Sequence, residues 1–150
     1  MSGIQFLASS KLFIMPDEIE DYYNGGIYEL GMCFSVYETD AWWREIVGPV
    51  LSMPYIYEVG GIGNYYFFHY LKEYMEVGEV IELYEIPVQH QYEKYIESVL
   101  QNPEPIVINV GSCTYQNQYG TYQLNPKSWV EELSHRTLLT ERGVTTILKY

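Results

Sequence analysis

The chain has 150 residues and a mass of 17.6 kDa, with 20 acidic residues against eight Lys plus Arg and a net charge of −12. Hydrophobic residues make up 47% and aromatic residues 17%, with 17 Tyr, which excludes a disordered chain. Sequence-independent nucleic-acid binders displace counterions with positive charge, so direct nucleic-acid binding is disfavoured.

The length predicts one globular domain over 1–150, with roughly 8,000 Å² of surface left after folding. Cys33 and Cys113 are 80 residues apart and form neither a disulfide framework nor a metal-ligand pattern. No run approaches the ~18 apolar residues of a membrane span. The start, Met1 to Lys11, lacks a basic region ahead of its short apolar stretch. A cytoplasmic protein with reduced thiols and no membrane partner is expected.

Charge is distributed unevenly. Residues 17–104 hold 17 acids and three bases, whereas 105–150 hold three acids and four bases. Thirteen of the 17 Tyr fall in the acidic part. No Gly, Ser or Pro linker divides the two.

In chain order, Ile4–Ala8 reads as a short strand that Leu12–Met15 can extend. Pro16 opens an acidic helical turn to Tyr23, closed by Asn24-Gly25-Gly26. Ile27–Tyr37 reads as a strand. Thr39-Asp40 then caps a helix over Ala41–Val47, whose Trp42, Trp43, Ile46 and Val47 share an apolar face. Adjacent on a helix, the two Trp point about 100° apart; both are expected mostly inside. Tyr55–Val59 alternates as a strand does, and after Gly60-Gly61-Ile62-Gly63 Asn64 can cap a helix over Tyr65–Glu76.

Glu79–Val88 reads as β and Gln89–Gln101 as an amphipathic helix ended by Asn102-Pro103. Ile106–Tyr115 and Thr121–Leu124 form an expected hairpin around a turn containing Gly120. Asn125-Pro126 starts a helix to Leu138, and Gly143–Lys149 is a closing strand. Strand ends running into capped helices at Tyr37–Trp42 and Tyr122–Trp129 are generic strand-turn-helix units rather than a repeat. The fold expected is α+β: a mostly antiparallel sheet of about five to seven strands under three or four helices. An α/β arrangement with some parallel pairing is the structural alternative.

Catalytic signals are weak. Gly61-Ile62-Gly63-Asn64-Tyr65-Tyr66 stands where a phosphate loop would, but Tyr replaces the third glycine of the dinucleotide fingerprint. His69 and Glu73 share a helical face, Glu132 and His135 form one Glu-x-x-His beside Glu131, and His90 precedes Glu93. Di-iron bundles need that motif twice plus two more Glu, so solvated helical pairs are the simpler reading. Gly111-Ser112-Cys113 lacks the nucleophile elbow, and a lone Cys is usually buried. No cofactor or metal is implied.

The acids carry the functional expectation. Glu73, Glu76, Glu79, Glu82 and Glu85 recur every third residue, interleaved with Tyr70, Tyr74 and Tyr84. A solvated charged face that keeps the protein soluble is the simpler reading; as a recognition surface these eight are the candidate binding residues, since carboxylates steer a basic partner and tyrosines supply rigid area with a polar tip. The leading expectation is a non-catalytic binding protein for a basic protein partner, of inhibitor, immunity or charge-mimic type. The alternatives are a small enzyme or ligand-binding domain using His69, His135, Glu131, Glu132 or Cys113, and a homo-oligomeric assembly subunit pairing through strand ends at 1–8 and 143–150.

Overall fold

The computed structural model of the chain describes residues 3–26, 28–88, 91–140 and 142–150. In chain order the elements are β1 (Gly3–Ser9), α1 (Asp17–Asn24), β2 (Ser35–Glu38), α2 (Ala41–Val47), β3 (Tyr55–Gly60) and α3 (Tyr65–Glu73). They continue with β4 (Val80–Pro87), α4 (Tyr92–Gln101), β5 (Ile106–Asn109), β6 (Thr114–Asn117), β7 (Gly120–Gln123), α5 (Trp129–Ser134) and β8 (Thr145–Leu148). Among the described residues the eight strands form one sheet in the order β2-β3-β1-β4-β8-β5-β6-β7. Every neighbouring pair is antiparallel except β5 beside β8. The α+β class holds, with one strand and one helix more than expected and parallel pairing at a single joint.

Helices cover both faces of the sheet centre. Leu7, Leu83 and Ile147 pack under Ile19 of α1, Phe67 and Leu71 of α3 and Leu133 of α5. Phe6, Ala8, Tyr84 and Ile86 pack under Val47 of α2 and Ile96 and Val99 of α4. β1 pairs with β4 so that Phe6 opposes Tyr84 and Leu7 opposes Leu83. Successive side chains of a strand point to opposite faces, so a strand buried on both sides reads as continuously apolar, as Phe6-Leu7-Ala8 does. The accessible surface is 8548 Å², near the value expected from the mass.

Several expectations are corrected. Ile106–Tyr115 is two strands, because the Asn109 side chain accepts the Gly111 and Ser112 N–H groups and Cys113 turns through φ +57°. The expected strand over 27–37 is limited to Ser35–Glu38, and Ile27 lies outside the described residues. Leu12–Met15 is not a strand; the Phe13 N–H donates instead to the Tyr57 hydroxyl, 3.0 Å away.

The last helix is six residues long. It stops there because the His135 and Arg136 N–H groups donate to the Glu132 and Leu133 carbonyls three residues back rather than four, while the Ser134 hydroxyl donates to the Glu131 carbonyl. Trp43 packs against Phe6 and Tyr92, whereas Trp42 stays 56% exposed. Strands β1 and β8, expected as free edges, are interior strands of the sheet.

Candidate functional site

Helices α1 and α3 lie side by side on one face of the sheet. α1 has three acids in its first turn, Asp17, Glu18 and Glu20, and no base in its last. Its Ile19 enters the core, which turns Glu18 and Tyr22 toward α3. Between the helices runs a line of touching rings: Tyr22 to Tyr66 at 4.7 Å, Tyr66 to Tyr65 at 5.0 Å, Tyr65 stacked on His69 at 5.7 Å, and His69 to Tyr74 at 5.8 Å.

Glu18 ties this line together. One carboxylate oxygen accepts the Tyr74 hydroxyl at 2.6 Å and lies 2.9 Å from His69 Nε2. The hydrogen bond from Tyr74, then that from His69, holds the Glu18 carboxyl below its ordinary range. The same bond, with Glu73 and Asp17 nearby, raises the Tyr74 phenol. His69 therefore pairs with Glu18, 51 residues away, and not with Glu73 on its own helix as the spacing suggested.

α3 also borders a cleft of about 710 Å³, opposite residues 126–131 and Ser134, which shares Tyr65 and His69 with the ring line. Tyr65, Phe68 and Trp129 form apolar walls, and His69, Lys72, Glu73, Lys127 and Glu131 bring charge of both signs. The Gly-rich turn ahead of α3 is not an anion cradle. The N–H groups of Tyr65 and Tyr66 already donate to the Gly31 and Met32 carbonyls. Asn64 occupies the cap position, but its side chain donates to the Leu30 and Cys33 carbonyls.

The eight expected binding residues do not share a face. Tyr74 ends the ring line with Glu73 beside it, and Glu76 is exposed near them, 3.4 Å from Lys11. Tyr70 and Glu79 are buried together: the hydroxyl donates to the carboxylate at 2.7 Å, and Glu79 also faces Lys11 Nζ at 3.2 Å. Glu82 is buried on the opposite face of the sheet, where it accepts the Ser52 N–H and hydroxyl and the Met53 N–H at 2.7 to 2.8 Å. Tyr84 is fully buried on that same side, and half-buried Glu85 accepts from the Gln5 amide. The three-residue spacing crosses from helix to strand, and the strand's two-residue period sends alternate side chains to opposite faces.

The other candidates also separate. Glu131 and His69 both line the cleft, whereas Glu132 is engaged by the Asn125 N–H at 2.7 Å. His135 is exposed beyond α5, and Cys113 is a buried free thiol. The pairing expected for His90 with Glu93 lies outside the described residues. Among the described residues no three His, Cys, Asp or Glu side chains converge as metal ligands, and no helix is long and apolar enough to cross a membrane. Sequence reading missed Asp17, Glu18, Tyr22, Tyr65 and Tyr66; the acidic first turn and the Tyr pairs were visible, but not that they meet. No protein-family model, curated protein or solved structure matches the chain.

Proposed function

We propose that this chain is a non-catalytic binding protein that engages a basic protein partner, in the manner of an inhibitor or immunity protein, through the α1–α3 face. The observation that carries this reading is the ring line from Tyr22 to Tyr74, bordered by Asp17, Glu18 and Glu73 and cross-tied by Glu18. Tyr65 and Tyr74 are exposed along it. Side chains already held by one another lose little freedom on binding, so their contact area converts efficiently into affinity. Net charge of −12 steers a cationic partner from a distance.

The test is affinity capture with the full chain, eluted in a salt gradient, followed by titration of the captured basic protein against Tyr65→Ala and Glu18→Gln. Each variant is expected to weaken binding about tenfold or more, in line with hot-spot truncations. Added salt is expected to slow association. Binding that is indifferent to salt and to both variants overturns the reading.

A second reading rests on the cleft beside α3, whose aromatic walls and mixed charges suit a small ligand or substrate. It predicts that Trp129→Ala abolishes small-ligand binding while partner capture is unaffected.

A further inference from the structure

Among the described residues the sheet has two edge strands, β2 and β7, and they are built differently. β2 ends in Glu38, with Asp40 just beyond, and the Tyr37 hydroxyl lies 3.1 Å from that of Tyr23 on α1. Charge and a neighbouring helix guard that edge, as edge strands generally require. β7, Gly120–Gln123, is exposed at all four positions and contains neither a charged residue nor a proline. Indeed the 22 residues from Pro105 to Pro126 include no Asp, Glu, Lys, Arg or His.

On the α1, α3 and α5 side of the sheet the Arg136 guanidinium lies over the Tyr115 and Tyr122 rings, at 4.9 and 4.6 Å. On the α2 and α4 side of the sheet, Gln116 of β6 and Thr121 of β7 oppose each other and are both exposed. Thr121 and Tyr122 are residue types that favour strands.

We propose that β7 pairs antiparallel with β7 of a second copy about a two-fold axis, joining two eight-stranded sheets into one. The occupant follows from charge. Two copies carrying −12 each repel, and residues 17–104 hold 17 acids against three bases. Residues 105–150 carry three acids and four bases, so the β7 end, with one Arg136 over Tyr122 in each copy, is where copies meet with the least like charge. Pairing through β2 would instead bring Glu38 and Asp40 of both copies together. A two-fold axis lets the same free edge serve both copies and closes the assembly at a dimer.

Sedimentation equilibrium of the full chain tests this over roughly 5 to 500 µM, a range set by the modest affinity of a short strand pair. The mass is expected to rise from 17.6 kDa toward twice that value. Added salt strengthens the pairing by screening repulsion, whereas it weakens capture of a basic partner, so the two proposals fail separately. Thr121→Glu, which places a carboxylate on each copy's edge, is expected to weaken pairing at least tenfold, while Thr121→Val preserves it. Hydrogen exchange on the unaltered chain decides the matter if the Glu variant misfolds: the β7 amides gain protection as concentration rises. A monomer throughout the range, or a dimer whose β7 amides exchange freely, overturns the proposal.

Discussion

The Tyr70 hydroxyl donates to the Glu79 carboxylate at 2.7 Å in an enclosure that leaves the Glu79 side chain only 1% exposed. The other carboxylate oxygen accepts the Glu76 N–H at 3.1 Å and faces Lys11 Nζ at 3.2 Å. A buried carboxylate is tolerable only when its lone pairs are occupied, so these partners join the start of the chain, α3 and the entry to β4 into one unit. Tyr70→Phe removes one donor and leaves the charge in place. It is expected to destabilise the protein by about 1–3 kcal/mol in urea unfolding.

The same pair sets an alkaline limit. Burial, then the bond to Glu79, raises the Tyr70 phenol well above its ordinary 10.0. Burial lowers Lys11, but Glu79 and Glu76 outweigh it and hold the ammonium above 10.5. A group whose pKa is raised on folding contributes stability that is complete below its unfolded pKa and is lost as pH rises toward the folded one. Stability is therefore expected to fall above about pH 10, and Tyr70→Phe to flatten that decline. Urea midpoints across the range check this.

At the acid end Glu18 acts with the opposite sign. Its folded pKa lies below the ordinary 4.5, so its contribution is complete above that value and fades as pH falls through the folded one. The group is open to solvent, so the contribution is small. Glu18→Gln is expected to lower the urea midpoint slightly near neutrality and to make it less sensitive to pH below about 4.5, so that the two proteins converge at the acid end.

Glu82 works alone on the opposite face of the sheet. Its carboxylate closes the 51–53 loop through three hydrogen bonds from Ser52 and Met53. Glu82→Gln keeps one acceptor oxygen and turns an N–H₂ group toward donors. The expected cost is about 1–3 kcal/mol, with the Ser52 and Met53 amides losing hydrogen-exchange protection first.

Gly61 and Gly63 offer a matched comparison. Both have positive φ, +88° and +91°. A Cβ on Gly61 would stand 1.9 Å from the Cys33 carbonyl oxygen, whereas on Gly63 it meets only the Leu138 side chain at 3.7 Å. Gly63→Ala is expected to cost about 1–2 kcal/mol from backbone strain alone. Gly61→Ala is expected to cost more, because the backbone of residues 31–33 must move. Unfolding of the two variants side by side measures the difference.

The sequence by itself determined what depends on neighbours along the chain. The Ala41–Val47 helix, the Tyr55–Val59 strand and the α3 segment follow from apolar spacing bounded by Gly, Pro and polar residues, which act within a few residues. The uncharged stretch from Pro105 to Pro126 is likewise plain in composition.

Only the tertiary structure decided which side chains meet. Glu82 and Tyr84 look like members of an acidic surface until β4 takes a central place with helices over both faces, which removes them from water. Glu18 looks like one acid among four until α1 lies against α3 and sets it on His69 and Tyr74. The physical reason is range. Helix and strand periods are local, but sheet order and helix docking bring together residues 50 to 80 positions apart, such as Glu18 with His69 and Gln5 with Glu85, and no local pattern encodes that choice.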